Sequence, residues 1–255
     1  MKRLADFGPS IVLTIILLFV WEGVTQANFI SSRILPSPSL IIVDLLNNFS
    51  IIAPHMIQTI IETLIGFVLA IILGVAVALV IDQSRLIRNA LYPLLITSQT
   101  IPMIALAPLF LIWFGIDLLP KVIIVILVCF FPIVVATADG LRITDPDLEK
   151  LLKSMNATYW QTLRYVRIPN SLPQFFSGVK IAATYSVTGA IVGEYVGAYQ
   201  GLGIYMQEMA NSHAIPLVFA AILVTSLLSI LLFGIVVLIE KKTIRWRQEE
   251  RFLKK

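Results

Sequence analysis

Charge is scarce in this 255-residue chain. Asp, Glu, Lys and Arg make up 13% of it and hydrophobic residues 58%, whereas a soluble domain carries about 25% charged residues. Too little polar surface exists to face water all round, so lipid must cover most of the molecule. The single cysteine, Cys129, lies inside an apolar run; a disulfide framework and a cysteine metal site are both excluded, and packing is its role. The two histidines, His55 and His213, stand far apart without a neighbouring ligand pattern, so no metal site is expected. No G-x-x-x-x-G-K-[ST] loop is present to cradle a nucleotide phosphate. There is no H-E-x-x-H, no G-x-S-x-G and no histidine inside an apolar run, which leaves a membrane-embedded hydrolase without a nucleophile, a base or a metal. No catalytic residue is expected.

What the chain has is long apolar runs, at residues 11–24, 57–81, 87–114, 122–138, 175–195 and 217–239. A helix needs about 20 apolar residues to cross a hydrocarbon core of about 30 Å. Only helices and closed barrels satisfy every backbone group in lipid. The expectation is therefore an all-α membrane protein with about six transmembrane helices, forming one domain over residues 1–255. The first run follows Lys2 and Arg3 but lacks a clean small-x-small cleavage site and ends at Trp21 and Glu22, so it reads as a retained helix. Of the 19 Lys and Arg residues, only Arg33 and Lys121 fall in the connections on one side. The positive-inside rule then puts both termini, the 82–88 turn and the 139–173 loop in the cytoplasm.

That loop, ADGLRITDPDLEKLLKSMNATYWQTLRYVRIPNSLP, carries the signals of two short helices. Thr144 with Asp147, or Asp145 followed by Pro146, opens the first. Leu148, Leu151, Leu152 and Met155 then form one apolar stripe, opposite Glu149, Lys150 and Lys153. Asn156 suits the left-handed residue that closes a helix. Thr158 with Gln161 makes a second capping box, followed by Trp160, Leu163 and Val166, and Pro169 is expected to stop the run. Periodicity alone leaves two readings open: a surface element covering helix ends, or a docking device.

The loop resembles the signature of binding-protein-dependent ABC importer permeases, E-A-A, three residues, G, nine residues, I-x-L-P. Lys150, Leu151 and Leu152 take the E-A-A positions, Asn156 the glycine, Val166 the isoleucine, and Ile168 with Pro169 the L-P. Lys150 departs from the pattern by reversing a charge. ILPSPSLI at 34–41, IPMIALAPLFLIWFG at 101–115, GAIVGEYVGAYQGLG at 189–203 and PLVFAAILV at 216–224 look like the nitrate, sulfonate and taurine permease group. The resemblance implies that the loop, through Leu148, Glu149, Lys150, Leu151, Leu152, Met155, Asn156, Ala157, Trp160, Leu163 and Pro169, docks on a separate ATPase subunit. It implies that ATP and Mg bind there and that this chain binds no cofactor. It also implies a second, identical permease copy, since a six-helix chain is half of the two-permease core, and an extracytoplasmic solute-binding protein, all at a bacterial cell membrane. The double leucine of the loop and residues 175–198 are more similar to permeases for thiamine-pyrimidine precursors or riboflavin-like compounds, with sulfonate, taurine or nitrate as the alternative.

Residues within the spans remain to be weighed. Glu194, flanked by Gly193 and Gly197, reads either as part of a translocation path or as a structural hydrogen-bond partner. Glu62 lies early in the second run, near the outer surface, where it reads as facing water, with a functional role as the alternative. Lys180 is expected to snorkel toward headgroups, with an anion contact as the alternative. It is the one cation read as lying within a span, which argues against a strongly anionic substrate. Pro102 and Pro108 interrupt the third run, and Ser98, Gln99, Thr100, Pro102 and Met103 are candidates to line a path at that break, the alternative being packing kinks. Gly189, Gly193 and Gly197 permit close helix approach, expected around a shared pore. Gly201-Leu-Gly203 reads as an external turn. An ion-coupled secondary transporter, the competing function, would need acidic coupling residues near the midplane, and only Glu194 and the broken third run lean that way.

Overall fold

Long apolar runs with no water to bond to have one local solution, the helix, and every regular element among the described residues is helical. The computed structural model describes residues 2–27, 29–32, 34–143 and 146–244, with backbone only for 2–7, 146, 149 and 153. Arg33, the Thr144 and Asp145 helix start, the side chains of Glu149 and Lys153, and the basic residues beyond 244 lie outside what is described. In chain order the helices are α1 (Lys2–Gln26), α2 (Pro38–Asn47), α3 (Phe49–Gln83), α4 (Arg85–Ser98), α5 (Met103–Phe114) and α6 (Leu118–Arg142). They continue with α7 (Pro146–Ser154), α8 (Tyr159–Thr162), a π-helical turn (Leu163–Arg167), α9 (Ile168–Val196), α10 (Leu202–Asn211) and α11 (Ile215–Thr243).

Five of these, α1, α3, α6, α9 and α11, are each long and apolar enough to cross a membrane, and α4 with α5 makes a sixth segment bent by 96°. Side-chain contacts show that this bent pair runs from one end of the bundle to the other. Near its start, Tyr92 donates to the Asp139 carboxylate at 3.0 Å, and Arg88 pairs with Asp139 at 3.4 Å, at the α6 end nearest the 146–167 hairpin. Near its finish, Leu111 lies against Gly197, at the opposite end of α9. The break falls at Gln99–Pro102. Pro102 supplies no N–H, its predecessor is pushed out of the α region, and the preceding turn tightens into i to i+3 bonds at Gln99, Thr100 and Ile101. Pro108 lies inside α5 without ending it.

The core is a block of three helices, with α3 and α9 packed on α6. Glycines set the spacing. A Cβ on Gly66 would sit 2.5 Å from Val125 Cβ, and one on Gly74 would sit 2.8 Å from Ile133 Cγ2. From α9, Gly178 lies over the Pro132 carbonyl, Gly189 over Val125 and Gly193 over Lys121. The small-residue stripe on α9 thus permits the expected close approach, but Gly189 and Gly193 spend it on α6 of the same chain and Gly197 on α5. Around these contacts, Phe67, Val125, Cys129, Ile133, Ala182 and Ala183 form a closed core.

Two expectations are corrected. Pro169 does not stop the second loop helix: the chain winds continuously from Tyr159 to Val196, because the wide π turn just before it makes room for the ring and bonds Ile168 N to the Leu163 carbonyl. The second run extends to 35 residues instead of 25, since polar residues such as His55 and Gln58 remain helical. The connections at 25–56 and 199–216 contain helices of their own, α2 and α10. Ser37 caps α2 by accepting from Leu40 N, with Pro38 following in the first turn.

Candidate functional site

The 146–167 hairpin forms largely as its local signals dictate. Thr158 and Gln161 make the reciprocal capping box, with Thr158 N donating to Gln161 Oε1 at 2.7 Å. Asn156 takes φ +54° and Ala157 N bonds back to the Leu152 carbonyl at 3.0 Å, closing α7 with a left-handed residue. The apolar stripe of α7 has no cover within the chain: Leu148 is 43%, Leu151 57% and Met155 70% exposed. Trp160 beside it is 69% exposed and stacks edge-on with Tyr159 at 5.7 Å. Together with Gln83, these two aromatics line a cleft of about 300 Å³. Lys150 points outward and pairs with Asp147 at 3.0 Å. Leu152, Ala157 and Pro169 are half-buried, and Leu163 is buried, so Leu163 anchors the hairpin to the bundle rather than presenting itself to a partner. The hairpin is tied down by Asp82 at the end of α3, which accepts from Arg167 Nη1 at 2.9 Å and, at longer range, from the Tyr159 hydroxyl at 3.4 Å. Tyr159 holds its proton above the ordinary phenol range because the hairpin desolvates it and the Asp82 charge opposes ionisation.

At the break in the bent span, Gln99, Thr100 and Pro102 are exposed and Ser98 and Met103 half-buried. Ser98 and Thr100 hydroxyls donate back to the Leu95 and Thr97 carbonyls, satisfying part of the unwound backbone. Glu194 is not at this break. It is fully buried at the far end of the bundle, where Thr59 Oγ1 donates to its Oε1 at 2.6 Å and Gly203 N to its Oε2 at 2.5 Å. It thereby holds the first turn of α10, where a carboxylate also favours the helix dipole. Leu202 N donates to Thr59 Oγ1 at 2.9 Å, and Gly201 N to His55 Nδ1 at 3.1 Å. Gly201 has φ +143° and faces the Glu194 carboxyl so closely that a Cβ would collide with it. The Gly201-Leu-Gly203 turn is therefore buried around Glu194.

Two charged residues prove to lie elsewhere than expected. Glu62 is fully buried instead of facing water, and Lys121, read as an external loop residue, is 4% exposed within α6, its Nζ 3.3 Å from Glu62 Oε1. Gln58 Nε2 donates to the same oxygen at 2.8 Å. Removing either partner alone would strand the other as an uncompensated buried charge. Lys180, in turn, reaches Glu240 of α11 at 2.9 Å instead of snorkelling to headgroups. The signal missed was positional, since Lys121 lies in the first turn of α6, against the part of α3 that carries Glu62. Among the described residues no group of three or more His, Cys, Asp or Glu is arranged to hold a metal.

A model of the family described as the binding-protein-dependent transport system inner membrane component matches residues 66–245, the bundle core and the hairpin together. The chain belongs to that family. This permease is 37% identical, over 98% of its length and 100% of the relative's, to the formylaminopyrimidine transport permease protein ThiX of Halalkalibacterium halodurans. It is 34% identical to the riboflavin transport system permease protein RibX of Chloroflexus aurantiacus, over 94% of this chain and 90% of that one. The putative aliphatic sulfonates transport permease protein SsuC of Bacillus subtilis is 26% identical over 93% of the permease and 87% of its own length. The fold is shared with a chain of the MetNI methionine ABC transporter in an inward-facing conformation, at a TM-score of 0.51 and 22% identity over 72% of this chain and 91% of that one. The permease is thus a multi-pass membrane transport subunit of the ABC importer type and not itself an enzyme.

Proposed function

We propose that this permease works as one of two identical copies in the bacterial cell membrane, forming a solute path by alternating access. A separate ATPase subunit, where ATP and Mg bind, docks on the hairpin, and an extracytoplasmic binding protein delivers solute at the opposite face. The observation that carries the reading is the uncovered stripe of Leu148, Leu151 and Met155 with Trp160, held on a capped hairpin beyond the crossing helices. Such a patch at a rigid position marks a protein contact. The hairpin end, where the cation-rich connections fall, is then cytoplasmic, as are both chain termini. Ser98, Gln99, Thr100, Pro102 and Met103 line the path at the break between α4 and α5, with Glu194 bracing its outer end.

A small pyrimidine or vitamin precursor is the favoured solute. The relatives named for formylaminopyrimidine and riboflavin are 37% and 34% identical, against 26% for those named for sulfonates and taurine. Lys121 of α6 and Lys180 of α9 are already paired with carboxylates, which offers little to a sulfonate or nitrate. The test is co-purification with the neighbouring ATPase and binding protein, then ATPase assays in liposomes with formylaminopyrimidine, riboflavin and taurine as probes. Solute-stimulated hydrolysis that Leu151→Asp abolishes supports the reading, and the stimulating probe identifies the solute class. Solute movement under an ion gradient with no ATPase bound would replace it with a secondary transporter.

A further inference from the structure

The hairpin joins the bundle through a mechanically weak link. Between α8 and α9 the backbone passes through the π turn at Leu163–Arg167, whose i to i+5 bonding is wider and less well packed than an α turn. Pro169 follows at once and removes another backbone donor. A load applied at the exposed face of α7 and α8 would bend the chain here before it moved α9.

Asp82 spans that link from outside. Its carboxylate accepts from Arg167, which closes the π turn, at 2.9 Å, and from Tyr159, which opens α8, at 3.4 Å. One side chain therefore grips both sides of the π turn. The Asp82 side chain is 6% exposed and that of Arg167 23%, so water and salt screen the pair less than a surface bridge. Behind Asp82, α3 is seated against α6 through Gly66 and Gly74 and reaches the far end, where Thr59 holds Glu194 and the α10 turn. A single rigid helix thus runs from the hairpin to the opposite face of the bundle.

We propose that Asp82 is a positioning residue for transport: it splints the π turn so that movement of the hairpin is carried into α3 instead of being absorbed by flexing. This inference rests on the importer reading and concerns coupling, not docking, because the Asp82 side chain is 6% exposed and bonds Arg167 and Tyr159 rather than the exposed stripe of α7.

The experiment reconstitutes the permease with its ATPase and binding protein in liposomes and measures labelled formylaminopyrimidine moved per ATP hydrolysed. Asp82→Asn is expected to assemble and to hydrolyse ATP at the wild-type basal rate, while solute moved per ATP falls about tenfold, the scale of one charge-assisted hydrogen bond. The exchange Asp82→Arg with Arg167→Asp should regain most of that ratio, which a general loss of structure would not allow. An unchanged ratio in Asp82→Asn, or an exchanged pair no better than the single variant, overturns the proposal. Should Asp82→Asn fail to assemble, the exchanged pair decides: assembly and coupling restored together support the splint, and any other result refutes it. Absence of solute-stimulated hydrolysis in the wild type with every probe would sink the importer reading itself, and the splint with it.

Discussion

Replacing Thr59 with valine isolates one hydroxyl on which three helices depend. Thr59 is fully buried, and its Oγ1 donates to Glu194 Oε1 at 2.6 Å while accepting from Leu202 N at 2.9 Å. Valine has the same shape, so Thr59→Val leaves no cavity and removes those two bonds together with the hydroxyl's back-bond to the His55 carbonyl at 3.1 Å. It takes the Thr59 hydroxyl from a backbone N–H at the start of α10 and from a buried carboxyl oxygen, at about 1–3 kcal/mol each. The sum, about 2–6 kcal/mol, corresponds to a fall in melting temperature on the order of 10 °C, at about 2–4 °C per kcal/mol for a chain of this size. Thr59→Ser keeps the hydroxyl and loses one methyl, about 1 kcal/mol, so it should melt within about 2–4 °C of the wild type. Both variants are followed by thermal loss of the monodisperse peak in detergent. If valine and serine destabilise equally, the hydroxyl does not join α3, α9 and α10 as described.

Gly66→Ala should destabilise by about 1–3 kcal/mol, because its Cβ would meet Val125 at 2.5 Å, whereas Gly23→Ala, with nothing within 4 Å of its Cβ, should stabilise α1 by about 0.5–1 kcal/mol; the same melting assay reads both. Glu62→Gln alone leaves Lys121 buried without its counter-ion and should cost about 3–5 kcal/mol, much of it recovered in the double variant Glu62→Gln, Lys121→Met, and a double variant no more stable than the single one would refute the pairing. Because the folded chain raises the Tyr159 phenol above its ordinary 10 by desolvation and by Asp82, folding favours the protonated form: the contribution is intact below pH 10 and lost as pH rises from 10 through the folded value. Thermal stability of wild type should accordingly fall more steeply than that of Tyr159→Phe above pH 10, and parallel pH curves would count against the Asp82 contact.

Much of the architecture was legible because its causes are local. Hydropathy alone marks the crossing segments, since a run of about 20 apolar residues has one fate in lipid. Asn156 and the Thr158 and Gln161 box were readable for the same reason: left-handed closure and reciprocal capping involve residues at most a few positions apart. Pro102 marked the break correctly because a missing N–H acts where it stands. What stayed hidden depends on partners distant in sequence. The α9 glycine stripe announced close approach but not its target, which is α6 for Gly189 and Gly193. Lys121 looked like an external loop residue because its charge ends a hydropathy window, although Glu62, 59 positions earlier, neutralises it. Glu194 was visible as costly, but its partners are Thr59, 135 positions earlier on α3, and Gly203 on the returning α10, an element no apolar run announces. The π turn was hidden as well, because local rules make Pro169 a terminator and cannot show a wider turn ahead of it.

Burial also divides the chain mechanically. The α3, α6 and α9 block is seated on glycines and cannot shear without separating close-packed backbones, whereas α5 exposes Ile104 by 64%, Ile112 by 76% and Trp113 by 64%. If the path changes shape, it should do so where backbone is already unwound, at Gln99–Pro102. Pro102→Ala tests this. It restores an N–H and relaxes the restriction on Ile101, removing a penalty of about 3 kcal/mol against helix while leaving the hairpin untouched. The expected result is a permease that still binds its ATPase but has lost solute uptake, with a cysteine placed at Thr100 becoming less reactive toward a water-soluble maleimide as the turn winds into helix; native Cys129 is fully buried and gives no background. If Thr100→Cys becomes protected and uptake is unchanged, the break serves packing alone, and Ser98, Gln99, Thr100 and Met103 lose their place in the path.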